Sequence, residues 1–229
     1  MLALGASVSM MAKLTPQTEN LNFGVIDEAK GNKSERFYLV NDGNEPLSIV
    51  KVRPSCNCMT ATFFQEPIQP GETGWVEIEY NPAGRVGDFQ KGFKVFSSDG
   101  EVQFVEVVGR IKSTEDSASK LYPEKAGDLR LSELTLMSKA FKKEPRKSMF
   151  IKMYNMSDSD LTPVVVTDND AIVAEYSPVP IPAWGSASLG FFIDIRKLPA
   201  GTSQYQVKLY PEGEGGEAEI ITLNLDIEE

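Results

Sequence analysis

The 229-residue sequence predicts an all-β protein built from two tandem β-sandwiches. In the first half, short runs that alternate apolar and polar residues recur about every 8–12 residues, as in sandwich domains. Clusters of Gly, Asn, Asp and Pro separate these runs, and no helical period of 3.6 residues competes with them. The order of strands and turns then recurs in the second half at an offset of about 113–114 residues, which indicates a repeated domain.

The first domain is predicted over residues 20–111, after a signal-like segment and N-terminal tail at residues 1–19. Its strictest alternation lies at residues 47–52 and 75–80, as one buried face of a strand requires. Turn chemistry separates the strands, for example Asp42-Gly43-Asn44. The expected strands are residues 22–26, 36–41, 47–52, 60–64, 75–80, 91–97 and 102–111.

The second domain is predicted over residues 128–229. Residues 112–127 are polar, rich in Ser, Lys and Glu, and interrupted by Pro123, so they are predicted to form a linker. Three matches anchor the repeat: Asn155 stands where Asn41 stands, Leu161 matches Leu47, and Ile181 matches Ile68.

Composition excludes several functions. The formal net charge of −10 disfavours nucleic acid and anionic lipid as partners. The sequence contains no histidine, which removes Ser-His and Cys-His nucleophile pairs and the commonest metal ligand. No run approaches the roughly 18–20 apolar residues of a membrane-spanning helix. We therefore expect a non-enzymatic protein with no nucleic-acid partner, no integral membrane span and no cofactor.

Residues 1–12 are apolar and small, and Lys13 and a polar stretch follow them. This pattern resembles the hydrophobic core and end of a secretory signal, with cleavage after Ala12. The sequence therefore predicts an exported protein, located in the periplasm.

Both cysteines of the chain lie in one loop, Ser55-Cys56-Asn57-Cys58, between two predicted strands. One interpretation is structural, with two half-buried side chains that fix the shape of the loop. A second is redox chemistry, because positions i and i+2 of an extended segment face the same way and two thiols could meet in a small, easily reduced ring. Arg53 could lower a thiol pKa there. A third is metal binding, for which two thiolates would need two further ligands. The candidate binding residues are Arg53, Cys56, Asn57 and Cys58.

Four segments in order resemble a known family: residues 21–26, residues 40–47, Val52 to Cys58, and Ile68 to Glu72. They are similar to exported bacterial domains of unknown function that carry a Ser-Cys-Gly-Cys motif. Those domains are similar to the major-sperm-protein and Hydin-like branch of immunoglobulin-like sandwiches. The resemblance covers residues 21–111 and implies an immunoglobulin-like fold without implying an activity. Asn57 replaces the usual glycine, and asparagine is expected to accept the left-handed conformation there.

The leading functional hypothesis is an exported binding or scaffolding module that engages another protein through sheet edges and loops. One alternative is a thiol-redox partner that uses Cys56 and Cys58. Another is a two-domain periplasmic assembly chaperone that donates a strand to a client.

Overall fold

The computed structural model describes residues 13–213 and 215–229, so the signal-like segment at residues 1–12 lies outside the described part. The described chain is almost entirely β, with one α-helix, α1, at Glu115–Leu121 and 3-10 turns at Glu28–Lys30 and Ile195–Lys197. The strands are β1 Leu14–Pro16, β2 Asn20–Asp27, β3 Lys33–Asn41, β4 Ile49–Pro54, β5 Met59–Phe63, β6 Thr73–Tyr80, β7 Gly87–Ser97, β8 Val102–Lys112, β9 Glu124–Ala126, β10 Leu129–Leu131, β11 Thr135–Phe141, β12 Arg146–Asn155, β13 Val164–Thr167, β14 Ile172–Ser177, β15 Ser186–Asp194, β16 Gly201–Tyr210 and β17 Glu219–Glu228.

The described chain divides into two compact units, and each contains a pair of β-sheets. Unit 1 holds residues 13–26, Lys30–Pro82 and Phe89–Gly109. Unit 2 holds Asp27–Ala29, Ala83–Asp88 and residues from Arg110 onward. The predicted fold class, two tandem β-sandwiches, is confirmed.

Unit 1 is built from two four-stranded sheets, ordered β1-β3-β6-β5 and β2-β8-β7-β4. Phe37 and Phe93, on strands of different sheets, meet edge to face with ring centroids 5.8 Å apart. Both rings are buried, as the alternation of apolar residues predicted. Strand β1 lies in the stretch that the sequence assigned to an N-terminal tail. Its three residues are too few to show a period, yet Leu14 is buried and pairs with Asn41.

Unit 2 repeats this arrangement strand for strand. Its sheets are ordered β14-β15-β12-β10-β9 and β11-β17-β16-β13, so β10 to β17 follow the order of β1 to β8 and β9 is an addition. One core of buried aliphatic and aromatic side chains joins the two sheets. Strand β11 is paired in parallel with β17, with Leu136 opposite Leu223 and Ala140 opposite Ile227.

The polar segment 112–127 contains helix α1 and strand β9 as well as irregular residues. The helix begins after Thr114, whose hydroxyl accepts a hydrogen bond from the backbone N–H of Ser117 at 3.3 Å. Ala118 and Tyr122 pack against the buried ring of Tyr154. A helix of seven residues with two buried positions is too short to stand out in a polar sequence. Neither this helix nor the 3-10 turns of the described residues has the length and apolar character to cross a membrane.

One fully buried asparagine in each unit braces the turn that follows β3 or β12. In unit 1, the amide nitrogen of Asn41 donates to the carbonyls of Glu45 and Ile68, each at 2.8 Å. Its amide oxygen accepts from the N–H of Gly43 at 3.0 Å. The brace therefore lies beside the isolated bridge between Leu47 and Ile68.

The same brace recurs in unit 2 at Asn155. Its amide nitrogen donates to the carbonyls of Ser159 at 2.7 Å and Ile181 at 3.2 Å. Its oxygen accepts from the N–H of Ser157 at 2.8 Å, and the neighbouring bridge joins Leu161 to Ile181. The three sequence matches that suggested a repeat are thus equivalent parts of one motif.

Replacement of Asn41 by alanine is expected to destabilise the protein by about 3 kcal/mol, because three hydrogen bonds of about 1 kcal/mol each are lost in or beside the core. Chemical denaturation followed by tryptophan fluorescence measures this free energy of unfolding. Asn44→Ala is the matched control, since Asn44 is exposed and only three residues away. Its effect should stay within about 0.5 kcal/mol. Equal effects of the two substitutions would contradict the bracing role.

Candidate functional site

The cysteine loop connects the end of β4 at Pro54 to the start of β5 at Met59. A disulfide joins Cys56 to Cys58, with their Cα atoms 5.2 Å apart. Cys58 is buried at 4% exposure, whereas Cys56 is partly exposed. The two sulfurs are therefore in contact, as the spacing of the cysteines allowed. In this oxidised form neither sulfur is a thiolate, so the disulfide fits the structural and redox interpretations and not the metal one.

Asn57 lies exposed in the turn of the loop. The N–H of Met59 donates to the carbonyl of Cys56 at 3.3 Å, which closes a four-residue turn. Among the described non-glycine residues only Trp184, at φ 56°, has a left-handed backbone, so the expectation of such a conformation at Asn57 is wrong. A turn of this length forms with negative φ at both central residues, and it then needs no glycine.

Beside the loop, a pocket of about 180 Å³ opens on the outer face of the sheet that contains β4 and β7. We call it the loop-side pocket. Backbone and side-chain hydrogen bonds tie it to the loop, because the N–H of Ser55 donates to Gly92 O at 2.8 Å and the N–H of Gly92 donates to Ser55 Oγ at 3.2 Å. Cys56 follows Ser55 directly in the chain. The lining of the loop-side pocket includes Arg53, Ser55, Gly92, Lys94, Phe96 and Phe104.

Phe104 is 64% exposed, and it lies across Gly92. A Cβ atom at Gly92 would be 2.3 Å from Cζ of Phe104 and 2.9 Å from the carbonyl oxygen of Val105. Glycine is needed here for close approach of the aromatic ring and not for its backbone conformation. The exposed Phe104 ring therefore packs directly against the backbone of Gly92, where no Cβ atom is in the way.

The cations of this face belong to two strands. Arg53 of β4 and Lys94 of β7 are directly opposite each other, and Lys51 is opposite Phe96. The ammonium of Lys51 lies 5.9 Å from the centroid of the Phe96 ring, within cation–π range. Among the described residues that line the pocket, none is acidic.

The structure brings the four sequence-predicted residues into one region. Arg53 lines the loop-side pocket, Cys56 and Cys58 form the disulfide, and Asn57 is exposed between them. Sequence reasoning missed the part of the pocket that comes from β7 and β8. Those residues reach it only through strand pairing, although the glycine within the pattern of β7 was a signal for close packing.

Gly92→Ala is expected to destabilise the protein by about 1–3 kcal/mol, because the added methyl group overlaps the Phe104 ring. In a Phe104→Ala background the cost should fall by at least about 0.5 kcal/mol, since part of the overlap is gone. A double-mutant cycle of unfolding free energies measures this coupling. Gly216→Ala is the control, because the nearest atom to its added Cβ would be 3.7 Å away. Additive effects of the two substitutions would show that Phe104 does not rest on Gly92.

No curated protein matches this chain in sequence. Among solved structures, the chain is similar to a protein of unknown function from Porphyromonas gingivalis W83, at 14% identity and a TM-score of 0.38, over 93% of this chain and 99% of that one. It is also similar to the YadV chaperone, at 12% identity and a TM-score of 0.34, over 92% and 98% of the two chains. The PapD-like domain 7 of human CEP192 matches at 12% identity and a TM-score of 0.35, over 50% of this chain and 99% of that one.

The sequence comparison gives a domain family. Residues 14–111 match the family model described as "Protein of unknown function (DUF1573)". The match begins at β1 and ends in β8, and it includes the cysteine loop and the loop-side pocket. The relation to major-sperm-protein and Hydin-like domains stays a prediction. Residues 14–111 of this chain are thus similar to DUF1573 domains.

Proposed function

We propose that this protein is an exported, periplasmic, non-enzymatic module that binds another protein through the loop-side pocket and the adjoining strand edges. The observation that carries the proposal is Phe104, an aromatic side chain that is 64% exposed and seated on Gly92. Large exposed aromatic groups are favoured at protein interfaces, where they contribute much of the binding energy. Folding of the sandwich does not require a ring at this exposed position.

Free strand edges support the same proposal. Strand β4 is the last strand of one sheet of unit 1, and β5 is the last strand of the other. The cysteine loop joins these two edge strands. An edge strand offers unpaired backbone N–H and C=O groups to an added strand of a partner. A partner that occupied the pocket would therefore find backbone hydrogen-bonding groups close by.

Composition supports a role without catalysis. The sequence lacks histidine, and both cysteines are in the disulfide, which removes the histidine-activated nucleophiles and the free thiols from acid–base or nucleophilic chemistry. Apart from one hydroxyl, Ser55, the polar side chains that line the pocket are cationic. Cationic side chains without a neighbouring general base suit the binding of a partner better than catalysis.

The test is site-specific photo-cross-linking in the native host. A photoreactive phenylalanine analogue at position 104 is expected to give a discrete protein adduct upon irradiation. The same analogue at Val25, which is 52% exposed on β2 of the same sheet, is the control and should give none. Cell fractionation of the same cultures should place the protein and the adduct in the periplasm. Absence of an adduct at position 104, or equal adducts at both positions, would refute the proposal.

The disulfide favours a second candidate, thiol–disulfide exchange with a dithiol protein. Cys56 is the more exposed of the two residues, so a partner thiolate would attack Cys56 Sγ, break the bond to Cys58 and release Cys58 as a thiolate that takes up a proton. A second partner thiolate would then release Cys56. The partner would end as a disulfide and this protein as a dithiol.

Trapping separates this candidate from a structural disulfide. Cys58→Ser leaves the accessible Cys56 thiol, whose thiolate can attack the disulfide of the oxidised partner and release one partner thiol. With no Cys58 thiol to reverse this step, a mixed disulfide with the host protein is expected to accumulate on non-reducing gels. Cys56→Ser leaves the buried Cys58 thiol and should trap far less. If neither variant traps a partner, the disulfide serves only to fix the loop. The assembly-chaperone alternative stays a prediction, and strand donation from β4 or β5 is what it would require.

A further inference from the structure

Three cationic side chains lie together on the outer face of unit 1 beside the cysteine loop. Arg53 and Lys94 are directly opposite each other on β4 and β7, and Lys51 is two residues before Arg53. Residues two apart on a strand project from the same face, so the three charges share one surface. All three side chains are exposed. No ion pair to any of them occurs within the part of the chain that the structure describes.

This arrangement opposes the stability of the sheet. Like charges at directly opposite positions of paired strands repel each other and destabilise the pairing. The chain as a whole carries a net charge of −10, so acidic residues are abundant, yet none of those that the structure describes lines this pocket. A glutamate at position 94 would form a favourable cross-strand pair with Arg53. The fold therefore offers no reason for two cations here.

The pocket also has an apolar surface beside these cations, formed by two aromatic side chains. Phe104 lies over Gly92, and Phe96 lies under the ammonium of Lys51. The aromatic surface and the cations Arg53 and Lys94 line the same pocket of about 180 Å³. A matching ligand would present carboxylates close to apolar side chains. An extended acidic peptide does so, because its alternate side chains face the same surface.

We propose that the loop-side pocket binds an acidic, extended segment of a partner protein. Carboxylates of the segment pair with Arg53 and Lys94, and an apolar side chain between them packs on Phe104. The proposal rests on the protein-binding function above and names the chemical class of its partner. A second copy of this chain fits less well as the occupant, because two molecules of charge −10 repel each other.

The test uses the full-length protein and two synthetic fluorescein-labelled peptides. One alternates glutamate with valine around a central phenylalanine, and the other has lysine in place of each glutamate. Fluorescence anisotropy is expected to show binding of the acidic peptide, weakened by added salt, and no binding of the basic one. Equal binding of both peptides, or binding of neither, would overturn the proposal.

Charge reversal at position 94 gives the sharpest readout. Lys94→Glu should weaken binding of the acidic peptide about tenfold, by loss of one ion pair and gain of one repulsion. The same substitution should raise the Tm, because it replaces a like-charge pair with an opposite pair. A purely structural lysine would not produce these opposite changes. The control Lys152→Glu makes the same change in net charge at an exposed position of β12 in unit 2 and should leave binding unaltered.

The double variant Arg53→Glu/Lys94→Glu should lose the acidic peptide by repulsion and gain the basic one through new ion pairs, which reverses the specificity. Unchanged binding of the acidic peptide would overturn the proposal, as would binding of the wild type to anionic phospholipid vesicles but not to the peptide.

Cross-links from position 104 distinguish this proposal from the protein-binding function on which it rests. If they persist in the double variant, protein binding stands and the acidic partner is wrong. If they are absent in the wild type, the function itself fails.

Discussion

A buried amide determines the shape of each sandwich at one turn. Asn41 and Asn155 are both completely buried, and each donates to carbonyls on two separate segments while its oxygen accepts from the turn. An apolar residue in the same place would make none of these hydrogen bonds, so burial and hydrogen bonding are satisfied together only by a planar amide with a donor and an acceptor. In unit 1 the braced turn leads through Leu47 to β4, and β4 leads to the cysteine loop. The position of the candidate site thus depends on this one side chain.

The alternating pattern predicted most of the fold, because each of these strands buries one face. Seven strands of unit 1 lie close to their predicted places, and the matches Asn41 to Asn155 and Leu47 to Leu161 proved structurally equivalent. The elements that were missed were short: β1 has three residues and α1 has seven. In elements of that length, the tertiary packing of one or two side chains such as Leu14 decides the structure. The sequence is then too short to show the hydrophobic periodicity from which a strand or helix is predicted.

The candidate site was predicted only where it is contiguous in sequence. Cys56, Asn57 and Cys58 share one loop, so their proximity follows from chain connectivity. Lys94 and Phe104 come from two other strands and join Arg53 only through strand register, which a sequence without a known pairing does not specify. The backbone conformation of Asn57 was also misjudged, because several turn types accept the same residues.

The parallel pairing of β11 with β17 constrains the order in which unit 2 can be completed during synthesis. Strand β11 is an edge of its sheet, and its neighbour there is β17, which lies about 80 residues further along the chain. On a ribosome, or in a translocation channel, Leu136 and Ala140 emerge long before Leu223 and Ile227 are available to cover them. Non-local pairing of this kind slows folding and leaves apolar strand surface open to other chains. The nascent chain is therefore most prone to aggregation while the segment between these two strands is still being synthesised.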